Sequence, residues 1–226
     1  LFTGPAPLRP YHPSYHPFKW RGWLDYGTGA LGDIGCHSFD SVFRILKLKY
    51  PTHVQGTSTL VNGESFPLGS MITYDFPARG EMPPVRLVWY DGGLRPPRLA
   101  DMGINIQMGA GGVLYIGSKG KILGDQLLPH SLNDSYKKPE PYLKSSPGHR
   151  QEWILACKGG EPAGSNYDWA GPLTETVLLG NIALRPELRE KLSFQSLQFD
   201  PEKLTFPNLP EADKFLHYEY RAGWSL

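Results

Sequence analysis

Hydrophobic and polar positions alternate with helical spacing in one part of the chain and with strand spacing in another. From residue 30 to residue 48 the apolar side chains fall on or near one stripe, and Pro51 follows the end of this stretch. The stripe consists of Leu31, Ile34, Phe39, Val42, Phe43 and Leu46. This spacing predicts one amphipathic helix.

Runs rich in β-branched and aromatic residues follow, and turn-forming residues separate them. The runs cover residues 53–61, 70–76, 85–92 and 112–117. Their partial alternation predicts strands of a sheet with one covered face. Residues 119–124 follow closely enough to be the hairpin partner of the last run.

The last third of the chain predicts two helices and one strand. The first helix lies within 146–160, and the second covers about 168–184. Ser146 and Asp168 are candidate caps, with Pro147 at the first helical position and Pro172 in the first turn. Residues 129–146 are polar and rich in proline and lysine, which predicts a long loop, and 192–199 is a candidate strand.

Residues 1–26, called the arm below, are rich in proline and aromatic residues and predict an extended coil. With this arm, the order of elements is one helix, then strands, then helices. This order predicts an α+β fold built on an open, predominantly antiparallel sheet. We expect residues 1–226 to form a single domain.

Composition excludes several classes of partner. The formal net charge is +1, which gives no electrostatic basis for binding nucleic acid or an anionic membrane. No apolar run approaches the roughly 18 residues of a membrane span. The two cysteines form neither a disulfide framework nor a C-x-x-C motif.

The stretch GTGALG, which begins at Gly27, spells the G-x-G-x-x-G pattern of a dinucleotide-binding loop. Such a loop needs a buried strand before it and an acidic residue roughly 20 residues after it. Residues 20–26 do not resemble a buried strand, and the next acid beyond the helix is Glu64. We therefore expect these glycines to give clearance for a close approach, and we expect no cofactor or metal on this chain alone.

The same stretch carries Asp33, His37 and Asp40 at spacings of four and three, which place them on one face of the helix. An ordinary solvated face would have the same pattern. A carboxylate four residues before a histidine can also orient the imidazole and raise its basicity. Trp20, Arg21 and Trp23 lie just upstream, a combination that suits a sugar-sized ligand rich in hydroxyl groups, although either Trp can serve packing alone.

Three separated blocks resemble the C-terminal domain of the glucose–fructose oxidoreductase / inositol dehydrogenase (Gfo/Idh/MocA) family. The blocks are WRGWLDYGTGALGDIGCHSFD, SPGHRQEWILACKGG and SNYDWAGPLTETVLLGNIALR, in this order. The resemblance implies an open sheet with helices packed on one face. It also implies that Asp33 and His37 form the family's D-x-x-x-H motif, in which His37 takes a hydroxyl proton and Asp33 orients or charges it.

The resemblance further implies a parent enzyme that binds NAD or NADP through an N-terminal Rossmann domain, which these 226 residues do not contain. We expect the chain to be the substrate-binding half of a sugar or polyol dehydrogenase, inactive alone. We also expect a homo-oligomer, formed through the uncovered face of the sheet.

Two further residues and two other functions belong to the same set of expectations. His149 and Tyr167 are candidate substrate contacts, although His149 also fits a surface role near a helix end and Tyr167 fits a turn.

A metal-assisted hydrolase or lyase could use Asp33, His37, Asp40 and His149. A non-catalytic domain for carbohydrate binding or subunit assembly is the third possibility.

Overall fold

The structure, a computed structural model, describes residues 2–99 and 111–225. Contacts divide the chain into two compact units. The first unit consists of Leu1–Arg95 with Gly171–Leu226, and the second of Pro96–Ala170. The prediction of a single domain stays a prediction.

The first unit is built on a four-stranded sheet with the order β3-β2-β1-β7. The strands are β1 (His53–Ser58), β2 (Ser70–Phe76), β3 (Val85–Tyr90) and β7 (Leu197–Gln198). All their pairings are antiparallel. Two long helices, α1 (Gly29–Leu46) and α4 (Tyr167–Ala183), contribute to this unit, α4 with its residues from Gly171 onward.

The helices cover one face of the sheet. Along β2, Ser70, Ile72, Tyr74 and Phe76 are buried, and the residues between them are only half-buried. The ring of Tyr74 meets Phe39 of α1 edge-on at 5.7 Å, and its hydroxyl donates to the carbonyl of Val177 in α4 at 3.1 Å. The predicted α+β fold with an open antiparallel sheet is confirmed.

Three glycines allow these layers to approach. A Cβ on Gly180 would lie 2.1 Å from the Tyr74 hydroxyl, and one on Gly35 would lie 2.9 Å from Val177. A Cβ on Gly56 in β1 would lie 2.7 Å from a backbone oxygen of α4. These positions accept no side chain without movement of a packed neighbour.

The second unit has a three-stranded antiparallel sheet with the order β4-β5-β6 and two helices. The elements are β4 (Leu114–Ile116), β5 (Lys121–Leu123), β6 (Gln126–Leu128), α2 (Ser131–Ser135) and α3 (His149–Cys157). The predicted hairpin of β4 and β5 is confirmed. The long loop predicted for 129–146 is wrong at its start, where Asn133 of α2 bonds the backbone N–H and carbonyl of Leu127.

Both predicted caps are wrong. The N-cap of α3 is Gly148, and the Ser146 hydroxyl accepts from the Gly148 N–H in the turn before the helix, so Pro147 also lies outside it. Asp168 lies inside α4, because the Asn166 side chain accepts its N–H at 3.0 Å in the manner of a cap. Pro172 is consequently beyond the first turn of α4.

Two segments near the ends of the chain also differ from expectation. The arm is not simply extended, because it folds through several turns and a 3-10 helix at Lys19–Gly22. The strand predicted for 192–199 shrinks to the two residues of β7, and helix α5 (Pro186–Leu192) comes before it. A proline at its first position starts α5, as proline commonly does.

Candidate functional site

The predicted site centres on the place where the arm meets α1. Arg21, in the 3-10 helix of the arm, pairs with Asp33 of α1, with 2.6 Å between Nη1 and Oδ2. Both side chains are about one-third exposed. The Arg21 guanidinium also lies over the ring of Phe18 at 4.8 Å. Arg21 therefore joins the arm to α1, and Asp33 is its partner.

The three candidate residues of α1, Asp33, His37 and Asp40, lie outside its buried stripe. Asp33 and Asp40 are half-buried, and His37 is exposed. Asp40 lies 3.5 Å from Arg44, one turn further along the helix. Within residues 2–99 and 111–225, no hydrogen bond joins Asp33 to His37. The acid/base role of Asp33 and His37 stays a prediction.

The two tryptophans of the arm have different surroundings. Trp23 donates its indole N–H to the carbonyl of Ser14 at 3.2 Å and meets the ring of Tyr15 edge-on at 4.9 Å. Trp23 therefore packs within the arm, and its predicted contact with substrate stays a prediction. Trp20 is 41% exposed, and its predicted contact with substrate stays a prediction.

Phe18 was missed as a candidate. It is 66% exposed and forms one side of the cation–π contact with Arg21. Its position in the run PFKWRGW, next to basic and aromatic residues, is the sequence signal that could have identified it.

His149 and Tyr167 belong to the second unit. His149 is the exposed first residue of α3, and Tyr167 is the 91% exposed first residue of α4. Their proposed contact with substrate stays a prediction.

The glycine pattern does not fit a dinucleotide pyrophosphate. Before α1 there is the 3-10 helix and a single bridge from Trp23 to Ser65, in place of a buried parallel strand. A Cβ on Gly27 would lie 2.4 Å from the backbone oxygen of Arg21, and one on Gly32 would lie 2.2 Å from the side chain of Thr28. These glycines accommodate the chain itself, as expected from the sequence.

A metal site gains no support from the part of the chain that the structure describes. There, no group of three or more His, Cys, Asp or Glu side chains is arranged to hold a metal ion. In the same residues, no helix is both long enough and apolar enough to cross a membrane.

Comparison with known proteins identifies the first quarter of the chain. A search of curated proteins gave no match. The model of the oxidoreductase family C-terminal alpha/beta domain, of the Gfo/Idh/MocA group, matches residues 1–60, which include the arm and all of α1. Residues 1–60 thus confirm the resemblance to the C-terminal domain of this oxidoreductase family, and they support a substrate-binding role in an oxidoreductase.

Proposed function

We propose that this chain is the substrate-binding half of an NAD(P)-dependent oxidoreductase that acts on a sugar, a polyol or a related hydroxy compound. The observation that carries this proposal is the ion pair of Arg21 with Asp33, one helical turn before the exposed His37. All three residues fall within the stretch that matches the oxidoreductase family.

His37 is the proposed acid/base group. Its exposed imidazole takes the proton of a substrate hydroxyl group, and Asp33 lies one helical turn before it on the same helix face. Arg21 keeps the Asp33 carboxylate in place at the start of α1. NAD or NADP, bound by a Rossmann domain outside these 226 residues, is the proposed hydride acceptor.

We assign substrate recognition to exposed and half-buried groups around Asp33 and His37. Trp20 and Phe18 present aromatic surface, against which the apolar C–H face of a sugar can pack. Arg21 and Asp40 supply a hydrogen-bond donor and an acceptor for hydroxyl groups. An aromatic surface beside polar groups of both kinds favours a polyhydroxylated ligand over a purely apolar one.

The test replaces His37 in the full-length protein with Ala and with Gln. We expect NAD(P) binding to persist and turnover to fall by about 10²–10⁴-fold, the usual contribution of a positioned acid/base group. His53→Gln is the matched control, because His53 lies on β1 outside the proposed site. Turnover by His37→Ala equal to that of the control would refute the role of His37.

We also propose a homo-oligomer formed through the outer face of the sheet. The alternation along β2 and β3 directs Met71, Thr73, Val88 and Tyr90 away from α1 and α4, and all four are half-buried. A mixed apolar and β-branched face of this kind suits a self-complementary contact. Val88→Glu should shift the sedimentation coefficient towards the monomer, and a wild-type protein that sediments as a monomer at all concentrations would contradict the proposal.

A further inference from the structure

Residues 217–225, called the closing segment below, are joined to the start of the arm by one arginine. The Arg221 guanidinium donates from Nη2 to the carbonyl of Gly4 at 2.7 Å and from Nε to the carbonyl of Ala6 at 3.1 Å. The backbone N–H of Arg221 donates to the carbonyl between them, that of Pro5, at 2.9 Å. Three consecutive carbonyls are thus held by a single residue.

The local structure on both sides suits this contact. Residues 3–6 form a turn closed by a hydrogen bond from the Ala6 N–H to the Thr3 carbonyl, and Ala6 is only 2% exposed. On the other side, the guanidinium lies 5.8 Å from the ring of Trp224, and the backbone N–H of Trp224 donates to the Arg221 carbonyl. The rigid, planar fork of arginine can bond two separated carbonyls at once, which a lysine ammonium cannot do in the same geometry.

The closing segment is also close enough to the arm for an electrostatic effect. Burial raises the pKa of Tyr218, and the negative charge of Asp25 adds to this effect. Asp25 in turn pairs with Arg9 at 2.6 Å. The closing segment therefore lies near the arm at two places, around residues 4–6 and around Asp25.

Packed rings connect the turn at residues 3–6 with the residues of the candidate site. Phe2, next to the turn, packs against His16 at 5.9 Å and against Tyr26 at 6.0 Å. Tyr26 packs on Tyr15, which packs on Trp23. Trp20 and Arg21 lie in the 3-10 helix between these packed residues, and Arg21 reaches Asp33.

We propose that Arg221 is a positioning residue, which fixes the arm against the closing segment and thereby places Trp20 and Arg21 at the candidate site. The link to substrate binding rests on the proposed function. The contact of Arg221 with the arm does not depend on the proposed function.

The test compares Arg221→Gln and Arg221→Lys with the wild type in the full-length protein by hydrogen–deuterium exchange. The arm contains hydrogen-bonded amides at Ala6, Tyr15, Trp23 and Tyr26. Loss of the charge-assisted bonds should speed exchange in peptides covering residues 2–26 by at least about tenfold. Peptides covering residues 70–76 of β2 should exchange at the wild-type rate, which separates a local release from general destabilisation.

Two comparisons make the result specific to the Arg221 guanidinium. Arg221→Lys keeps the charge and the backbone bond, so its exchange should lie between those of the wild type and Arg221→Gln. Arg189→Gln, at an exposed position of α5, is the matched control and should leave the arm unchanged. Wild-type exchange of residues 2–26 in Arg221→Gln, or faster exchange in β2 to the same degree, would overturn the proposal.

Steady-state kinetics tests the link to the site. We expect Arg221→Gln to raise KM several-fold with a smaller change in kcat, because the arm contributes binding groups and His37 lies on α1. An unchanged KM in a variant whose arm exchanges faster would overturn the positioning role. An unchanged KM in Trp20→Ala as well would instead count against the proposed function of the arm.

Discussion

Gly180 lies where α4 packs closely on the sheet, and a side chain there would meet packed neighbours. A Cβ there would lie 2.1 Å from the Tyr74 hydroxyl and 2.6 Å from Leu31. The Tyr74 ring is fully buried between the sheet and the helices, so the phenol cannot move aside freely. We expect Gly180→Ala to destabilise the fold although alanine is the better helix former.

The expected loss of stability combines two destabilising contributions and one stabilising contribution. Overpacking costs about 1–3 kcal/mol, and displacing the Tyr74 hydroxyl from the Val177 carbonyl leaves a buried polar group unsatisfied at a cost of about 1–3 kcal/mol. The higher helix propensity of alanine returns about 1 kcal/mol. The net destabilisation is about 3 kcal/mol, which corresponds to a fall in Tm of about 6–12 °C for a chain of this size.

Tyr74→Phe provides the control for this reasoning. Urea unfolding and thermal unfolding are measured for the wild type, Gly180→Ala, Tyr74→Phe and the double variant. Without the hydroxyl, the closest contact disappears, so the cost of Gly180→Ala should fall by at least about 1 kcal/mol in the Tyr74→Phe background. An equal cost in both backgrounds, or a gain in stability from Gly180→Ala alone, would refute the argument.

Three shorter predictions concern titration and backbone clearance. Burial is the main cause that raises the pKa of Tyr50 to about 12. The stabilisation from its neutral phenol should therefore be lost as the pH rises from about 10 to about 12. In urea unfolding, Tyr50→Phe should lose less stability than the wild type over that interval. The hydrogen bonds of Arg86 lower the pKa of Asp75 below its ordinary 3.8. The ionised Asp75 therefore stabilises the fold above pH 3.8, and this stabilisation is lost as the pH falls below that value. In urea unfolding, Arg86→Gln should show a smaller loss of stability between pH 5 and pH 2.5 than the wild type. Gly27→Ala would place a Cβ 2.4 Å from the backbone oxygen of Arg21, and the resulting shift should lower Tm and raise KM together, whereas a change in neither would contradict the close approach.

Sequence patterns predicted well the elements that bury one face over most of their length. Helix α1 and strand β2 carry repeated apolar positions, and their bounds lie within two residues of the prediction or agree with it. Three of the missed elements, β6, α2 and α5, are short, with three, five and seven residues. A period of 2 or 3.6 residues cannot be distinguished over so few positions, and contacts such as that of Asn133 with Leu127 decide their structure.

For the candidate site, the sequence predicted which residues share a face of α1, since helical spacing alone determines that. It could not predict the partner of Asp33. The contact of Arg21 with substrate stays a prediction, and its guanidinium pairs with Asp33 because the turns of the arm bring residues 12 positions apart to 2.6 Å. Such a pairing depends on loop geometry, which a single sequence does not specify.

The glycines of GTGALGDIG show why one pattern can serve two purposes. A dinucleotide loop uses glycine because a phosphate must approach the backbone closely. In this chain Gly27 is approached by the backbone of Arg21, Gly32 by the side chain of Thr28, and Gly35 by Val177 of α4. The requirement for a missing Cβ is the same in both cases, so the glycine spacing alone cannot identify what approaches. Only the elements on either side distinguish the two, and here they place α1 against α4 and the arm, with Asp33 directed to Arg21 and His37 exposed.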